Sequence, residues 1–169
     1  FGTQDSTGLG VKLERMTWGS WMPHKFKIAV SGCPRNCAEA TIKDFGVVCV
    51  DSGYELHVGG NGGIKVRATD LLCKVATEAE AMEMCAAFIQ LYREEARYLE
   101  RTAPWIERVG LAYIQSRLLP DADERAELAQ RFFFSQQFSQ EDPWAERVAG
   151  AEREIHAPMA RFQPAGEMA

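Results

Sequence analysis

Three patterns predict an α+β protein: a small, mostly antiparallel sheet with helices, followed by a helical C-terminal appendix. Between Phe26 and Ala68, short runs alternate apolar and polar residues and are divided by glycine-containing turns. From Thr77 onward, apolar residues recur instead at spacings of three and four. Pro104 and Pro120 then punctuate that helical region. Strands first and helices afterwards favour a segregated α+β arrangement over a regular βαβ alternation. The expected division places the α+β unit at residues 1–101 and the helical extension at 102–169.

In chain order, Leu9, Leu13 and Met16 put one apolar stripe on a short helix, which Gly19 and Pro23 terminate. "KFKIAVSG" alternates Phe26, Ile28 and Val30 with Lys25, Lys27 and Ala29, as a half-buried strand does. "CAEATIKD" is expected to be a short helix. "FGVVCVD" and "YELHVGG" read as a hairpin turning at "DSG", and "IKVRA" as a fourth strand after the "GGNGG" loop. Thr77 and Glu80 form a capping box, in which each side chain satisfies a free N–H of the other's backbone. The stripe that follows is Met82, Cys85, Ile89, Tyr92, Ala96 and Leu99. Pro104 ends that helix and suits the first turn of the next, "PWIERVGLAYIQSRLL". Asp121 with Glu124 starts another helix through "RAELAQRFFFSQQF", and "DPWAERVAGAERE" is the last. The tail "HAPMARFQPAGEMA" has no period and is expected to be extended.

Composition narrows the function. A formal net charge of −5 opposes nucleic-acid binding, which shows as a basic surface. No apolar run has the length of a membrane span, and no signal peptide is legible. Five scattered cysteines, an odd number, fit a reducing, cytoplasmic setting better than a secreted disulfide framework. The chain starts at Phe1 rather than methionine, as expected of a processed protein or a piece of a longer one.

Chemistry concentrates in "VSGCPRNCAEA". A strand ending in Ser31-Gly32, followed by Cys33-Pro34, places Cys33 at a helix N-cap and Pro34 at the first helical position. Cys37 then stands one turn on, on the same face. The N–H groups at a helix start favour thiolate, the metal-binding form. A Cys33–Cys37 disulfide is disfavoured, because helical neighbours four apart hold their β-carbons at roughly 5–6 Å. Zinc needs a second pair of ligands, and an iron–sulfur cluster ordinarily needs four thiolates. Cys49, Cys73 and Cys85 read as core residues, and His24, His57 and His156 as isolated ones. The pair is half of a site.

"SGCPRNCAEATIKDFGVV" followed by "HVGGNGG" resembles the C-terminal half-site of the sirohaem-containing nitrite and sulfite reductases. Within that family the chain is most similar to the large subunits of bacterial assimilatory NAD(P)H-dependent nitrite reductases. "PWIERVG" and "DPWAERV" are similar to their helical C-terminal region. The resemblance implies that Cys33 and Cys37 are two ligands of a [4Fe-4S] cluster, Cys37 also bridging to the sirohaem iron. It places the other two cysteines upstream of Phe1, together with the cations that hold the substrate. No catalytic residue is therefore assigned in this chain, which is expected to be inactive and to bind no cofactor alone.

Sirohaem carries many carboxylates, so its pocket calls for cations and free N–H groups. The local candidates are Arg35, Asn36 and the loop Gly59, Gly60, Asn61, Gly62 and Gly63, with Lys65 and Arg67 behind them. Without the resemblance, that loop reads as an ordinary glycine-rich turn. The implied parent reduces nitrite to ammonium in nitrate assimilation, with NAD(P)H as ultimate donor. FAD and a [2Fe-2S] cluster are implied upstream, and a small Rieske-type subunit as a partner.

Three alternatives stay open: a sulfite reductase with the same cofactors, a module binding zinc or another metal with no activity of its own, and an interaction element beyond residue 103. In the last, Trp105, Trp144 and "RFFF" would be the contacts.

Overall fold

The apolar residues that alternate along the first half become one face of a four-stranded sheet. The computed structural model describes residues 2–140 and 142–150. The strands are β1 (Ile28–Ser31), β2 (Phe45–Val50), β3 (Gly53–Val58) and β4 (Asp70–Val75), adjacent in that order. β1 runs parallel to β2, and the β2–β3 and β3–β4 pairs are antiparallel. The fold is thus α+β with a small, mostly antiparallel sheet, as the patterning predicts.

Because side chains alternate across a strand, Phe45, Val47 and Cys49 share an inner face with Tyr54, Leu56 and Val58. All six are buried. Helix α1 (Ser6–Thr17) adds Leu9 and Leu13 to this side, its start capped by the Asp5 carboxylate accepting from the Gly8 N–H at 2.9 Å. Helix α2 (Glu78–Glu95) starts at the expected capping box. The Thr77 hydroxyl accepts from the Glu80 N–H, and the Glu80 carboxylate accepts from the Thr77 N–H. Its Phe88 ring meets Phe26, Phe45 and Trp105, with centroids 5.7–6.4 Å apart.

The later helices are α3 (Thr102–Val109), α4 (Leu111–Leu118) and α5 (Ala122–Ser135). They send Trp105, Ile106, Ile114, Leu118, Leu128 and Phe132 into the same core. The described residues up to Ser139 form one compact unit, and those from Gln140 on belong to a second. Within the second lies α6 (Pro143–Val148), where Arg147 stacks over the Trp144 ring at 5.3 Å. Among the described residues no helix is long and apolar enough to cross a membrane. His156 and the tail from it onward lie outside the described residues.

Four readings are corrected. "IKVRA" is not a strand. Its Ile64 and Val66 are exposed, and the segment closes on itself: Asn61 and Arg67 pair, and the Asn61 amide donates to the Lys65 carbonyl. The fourth strand is instead "DLLCKV", whose period is hidden by a bulge at Leu72, opposite Leu56 and His57 of its partner. The helix read as continuous from Pro104 breaks at Gly110, whose φ of +87° separates α3 from α4. Trp105 is fully buried, so it is a core residue and not a surface contact.

The fourth correction concerns "CAEATIKD". Only Ala40–Ile42 coil, as a single 3-10 turn, and no helix begins at Cys33.

Candidate functional site

The connection from β1 to β2, residues 32–44, carries both cysteines and passes over the outer face of the sheet at Ala40. Ala40 is seated directly over Gly46 of β2. Two tight turns shape it. The Asn36 N–H donates to the Cys33 carbonyl at 3.1 Å, and the Glu39 N–H to the Asn36 carbonyl at 2.9 Å. Asn36 and Glu39 sit in the left-handed region, at φ of +56° and +55°. Asparagine tolerates that conformation better than most residues, and here its side chain is clamped as well. The Ser31 hydroxyl donates to Asn36 Oδ1 at 3.1 Å, while Asn36 Nδ2 donates to the Thr41 hydroxyl at 2.6 Å.

This clamp explains why the expected helix does not form: Asn36, left-handed and just before Cys37, breaks the right-handed path. Cys33 and Cys37 are therefore ends of a turn, not partners on one helical face, and Cys33 opens no helix of its own. Cys33 is half-buried and Cys37 exposed.

The other thiols are placed differently. Burial raises the pKa of Cys49, and the Cys33 thiol lies close enough to contribute. Burial also pushes Cys73 up to about 11 and Cys85 higher still. All five cysteines are free of disulfides. Among the described residues, no group of three or more His, Cys, Asp or Glu stands together as a metal site. Cys33 and Cys37 stand on one turn, and among the described residues no third His, Cys, Asp or Glu joins them as a metal-site group.

The glycine loop is reached through the same connection. Gly60 lies so close to the backbone of Ile42 and Lys43 that a Cβ there would stand 2.5 Å from them. The Gly59 N–H donates to the Asp44 carbonyl, the Gly60 N–H to Lys43 and the Asn61 N–H to Arg67. The Gly63 N–H turns to the Asn61 side chain. Four of the loop's amides are thus spent within the chain and are not offered outward.

Lys65 is paired with Glu107, and Arg67 with Asp70 and Glu107. Arg67 also holds the Gly59 carbonyl at 2.7 Å. Arg35 stands exposed on the cysteine turn. The structure therefore joins the turn and the loop through residues 40–44, while leaving Arg35, Cys37, Gly62 and Gly63 exposed.

Sequence reading missed three supports of this arrangement. Asp44 is fully buried and receives the Arg101 guanidinium at 2.6 Å, the Thr102 hydroxyl and the Lys27 N–H. It ties the connection to the start of α3. Thr41 holds Asn36, and its carbonyl accepts from the Thr69 N–H at 2.8 Å. His57, read as isolated, meets the Thr69 hydroxyl through Nδ1 at 3.2 Å. "KDFG" offers an acid after a basic residue, the commonest of surface patterns. Nothing local in "TIKD" or "RATD" announces a contact that depends on strand register.

Comparison with known proteins gives this geometry its context. A family model described as the nitrite and sulphite reductase 4Fe-4S domain matches residues 1–125. The chain is 55% identical over 145 residues to "Nitrite reductase [NAD(P)H]" of Bacillus subtilis, covering 85% of this chain and 18% of that protein. It is 42% identical over 124 residues to "Nitrite reductase [NAD(P)H] large subunit" of Klebsiella oxytoca, covering 72% of this chain and 13% of the relative. The chain therefore spans less than a fifth of the length of either. A solved structure, that of the Mycobacterium tuberculosis NirA protein, matches 79% of this chain and 24% of its own, at a TM-score of 0.55. At 21% identity that likeness establishes the fold alone.

Proposed function

The chain belongs to the nitrite and sulphite reductase 4Fe-4S domain family, and from that premise we propose that it is part of an enzyme reducing nitrite to ammonium. The observation that carries the reading is the cysteine turn, lying within the family match and fixed by its own hydrogen bonds. The net reaction consumes six electrons and eight protons per nitrite and yields ammonium and two waters. NAD(P)H is the proposed ultimate donor. FAD, a [2Fe-2S] centre and a Rieske-type subunit belong to the proposed electron path outside this chain, in a cytoplasmic protein.

Cys33 and Cys37 would supply two of the four thiolates of a [4Fe-4S] cluster, with Cys37, the exposed one, shared with the iron of sirohaem. When bound, the cluster and sirohaem would supply single-electron transfer to one substrate site. The chain's own part is to orient those two sulfurs, which the clamp on Asn36 does, and to place a cation at the turn, which Arg35 does. Arg35 would meet a cofactor carboxylate by a charge-assisted bond. Asn36 serves chiefly as the former of the turn. In Gly59–Gly63 the bonded amides make the loop a shaped wall more than an anion cradle. Two cysteines from elsewhere in the parent protein would complete the ligand set.

The test is made on the full-length protein. Iron and sulfide analysis with visible spectroscopy should find a cluster and sirohaem, and NAD(P)H oxidation should depend on nitrite and release ammonium. A colourless protein carrying stoichiometric zinc would refute the reading. Because the family spans both substrates, a sulfite reductase is the second reading. A larger kcat/KM with sulfite than with nitrite would select it.

A further inference from the structure

We propose that His57 and Thr69 are positioning residues for the cysteine turn, acting on it through Thr41 and Asn36. The proposal rests on the reading of Cys33 and Cys37 as metal ligands for its purpose, but not for its geometry.

Each link is present in the structure. Asn36 holds a left-handed conformation that costs a non-glycine residue free energy, so neighbours must impose it. Two hydroxyls do so, Ser31 from β1 and Thr41 from the 3-10 turn. Ser31 is fixed by the strand that carries it, whereas Thr41 lies in the connection and is fixed only if something holds the connection. Its carbonyl is held by the Thr69 N–H at 2.8 Å. Thr69 precedes β4 by one residue, and its hydroxyl is in turn anchored to His57 Nδ1 at 3.2 Å. His57 belongs to β3, in the middle of the sheet. A continuous path therefore runs from the rigid sheet to the residue between the two cysteines.

The environment of His57 supports a positioning role over simple packing. Its Nε2 is buried and lacks a hydrogen-bond partner, with the Glu55 carboxylate 3.7 Å away and Lys74 engaging that carboxylate from β4. A buried polar atom left unpaired calls for an explanation. Here the ring is oriented by its one good hydrogen bond, that to Thr69. That bond is robust to the charge of the ring: a threonine hydroxyl donates to a neutral Nδ1 and accepts from a protonated one. The positioning should hold across the pH range in which the histidine titrates.

The experiment compares wild type with Thr69→Val, Thr69→Ser, His57→Leu and His57→Asn in the full-length protein. Amide hydrogen exchange is read at Asn36 and Glu39, before and after removal of iron with a chelator. Thr69→Val and His57→Leu should accelerate exchange at both amides about tenfold, the factor set by losing one hydrogen bond of ~1.4 kcal/mol. Thr69→Ser should restore the wild-type rate. So should His57→Asn, whose amide reaches the place of Nδ1. Exchange across α2, at residues 84–92, should not change, which separates positioning from general destabilisation.

In the iron-loaded protein, the valine and leucine variants should show an altered cluster signature in electron paramagnetic resonance. The serine and asparagine variants should not. If one pair of variants fails to fold, the other reads the same contact from its opposite partner. Unchanged exchange at Asn36 and Glu39 in both disruptive variants overturns the proposal, and so does failure of both conservative ones to rescue. Wild-type protein without iron, combined with the expected exchange pattern, would overturn the metal reading and leave the positioning intact.

Discussion

The two faces of the sheet are built on different physics. On the inner face, six consecutive inward residues of β2 and β3 are buried against α1 and α2, and the contacts are apolar and non-directional. On the outer face, Glu55, His57, Leu71 and Lys74 remain partly or largely exposed. The β1–β2 connection meets that face at Gly46 and is fixed by side-chain hydrogen bonds and two left-handed residues. Apolar burial scales with area and tolerates small shifts, whereas a hydrogen bond fails over a few tenths of an ångström. The inner face accordingly sets whether the unit folds, and the outer face sets where the cysteines stand.

The largest effect that should follow is from Phe88→Ala. This ring is fully buried and touches Phe26, Phe45 and Trp105. Its loss should cost about 3–5 kcal/mol, read as a lower urea midpoint. A cost under about 1 kcal/mol would break the comparison, since the inner face would then not carry the stability.

Asp44→Ala comes next and probes the seam between the two faces. The carboxylate is fully buried, and its removal strands Arg101 and the Thr102 hydroxyl. Breaking a buried pair from one side typically costs about 3–5 kcal/mol. Arg101 is partly exposed, so the lower end, about 3 kcal/mol, is expected. Circular dichroism during urea unfolding would measure it.

His57 should produce a smaller, pH-dependent effect. Burial, only partly offset by Glu55, holds its pKa below the ordinary 6.5. The unfolded chain therefore binds this proton more readily than the folded one. Stability contributed by neutral His57 is complete above pH 6.5 and declines as the pH falls below it, until the folded pKa is passed. The slope is at most ~1.4 kcal/mol per pH unit. His57→Asn should flatten that decline in urea midpoints taken between pH 7 and 5. An unchanged slope would show that the outer face is wet at His57, and that its partial burial has no electrostatic consequence.

The inner face was legible in the sequence because its rules are local. The capping box at Thr77, the helix stripe and the hairpin at "DSG" each depend on residues within one or two turns of one another. The cysteine pair was legible as chemistry, but its local shape was not. "CPRNC" satisfies helix-start rules, and only contacts of Asn36 with Ser31 and Thr41 divert it into a turn. The fourth strand was missed because "IKVRA" has the better alternation, while "DLLCKV" gains its place through a bulged pairing. Asp44, Thr69 and His57 matter only because register brings them to partners between 12 and 58 residues away.

The smallest effect on stability should belong to the residues of greatest chemical interest. Cys37 is exposed, and its thiol packs into no part of the core. Cys37→Ser should leave the urea midpoint within the ±0.5 kcal/mol usual for surface substitutions. The turn should survive as well, because its bonds run through the Cys33 carbonyl, the Asn36 side chain and the hydroxyls of Ser31 and Thr41, none of which involves the Cys37 sulfur. In the full-length protein the same substitution should remove the iron signal, since a cluster needs its thiolates. A residue built for packing would show the reverse, a loss of stability with iron retained. Full stability beside lost iron would establish that the outer face is shaped for a ligand rather than for the fold.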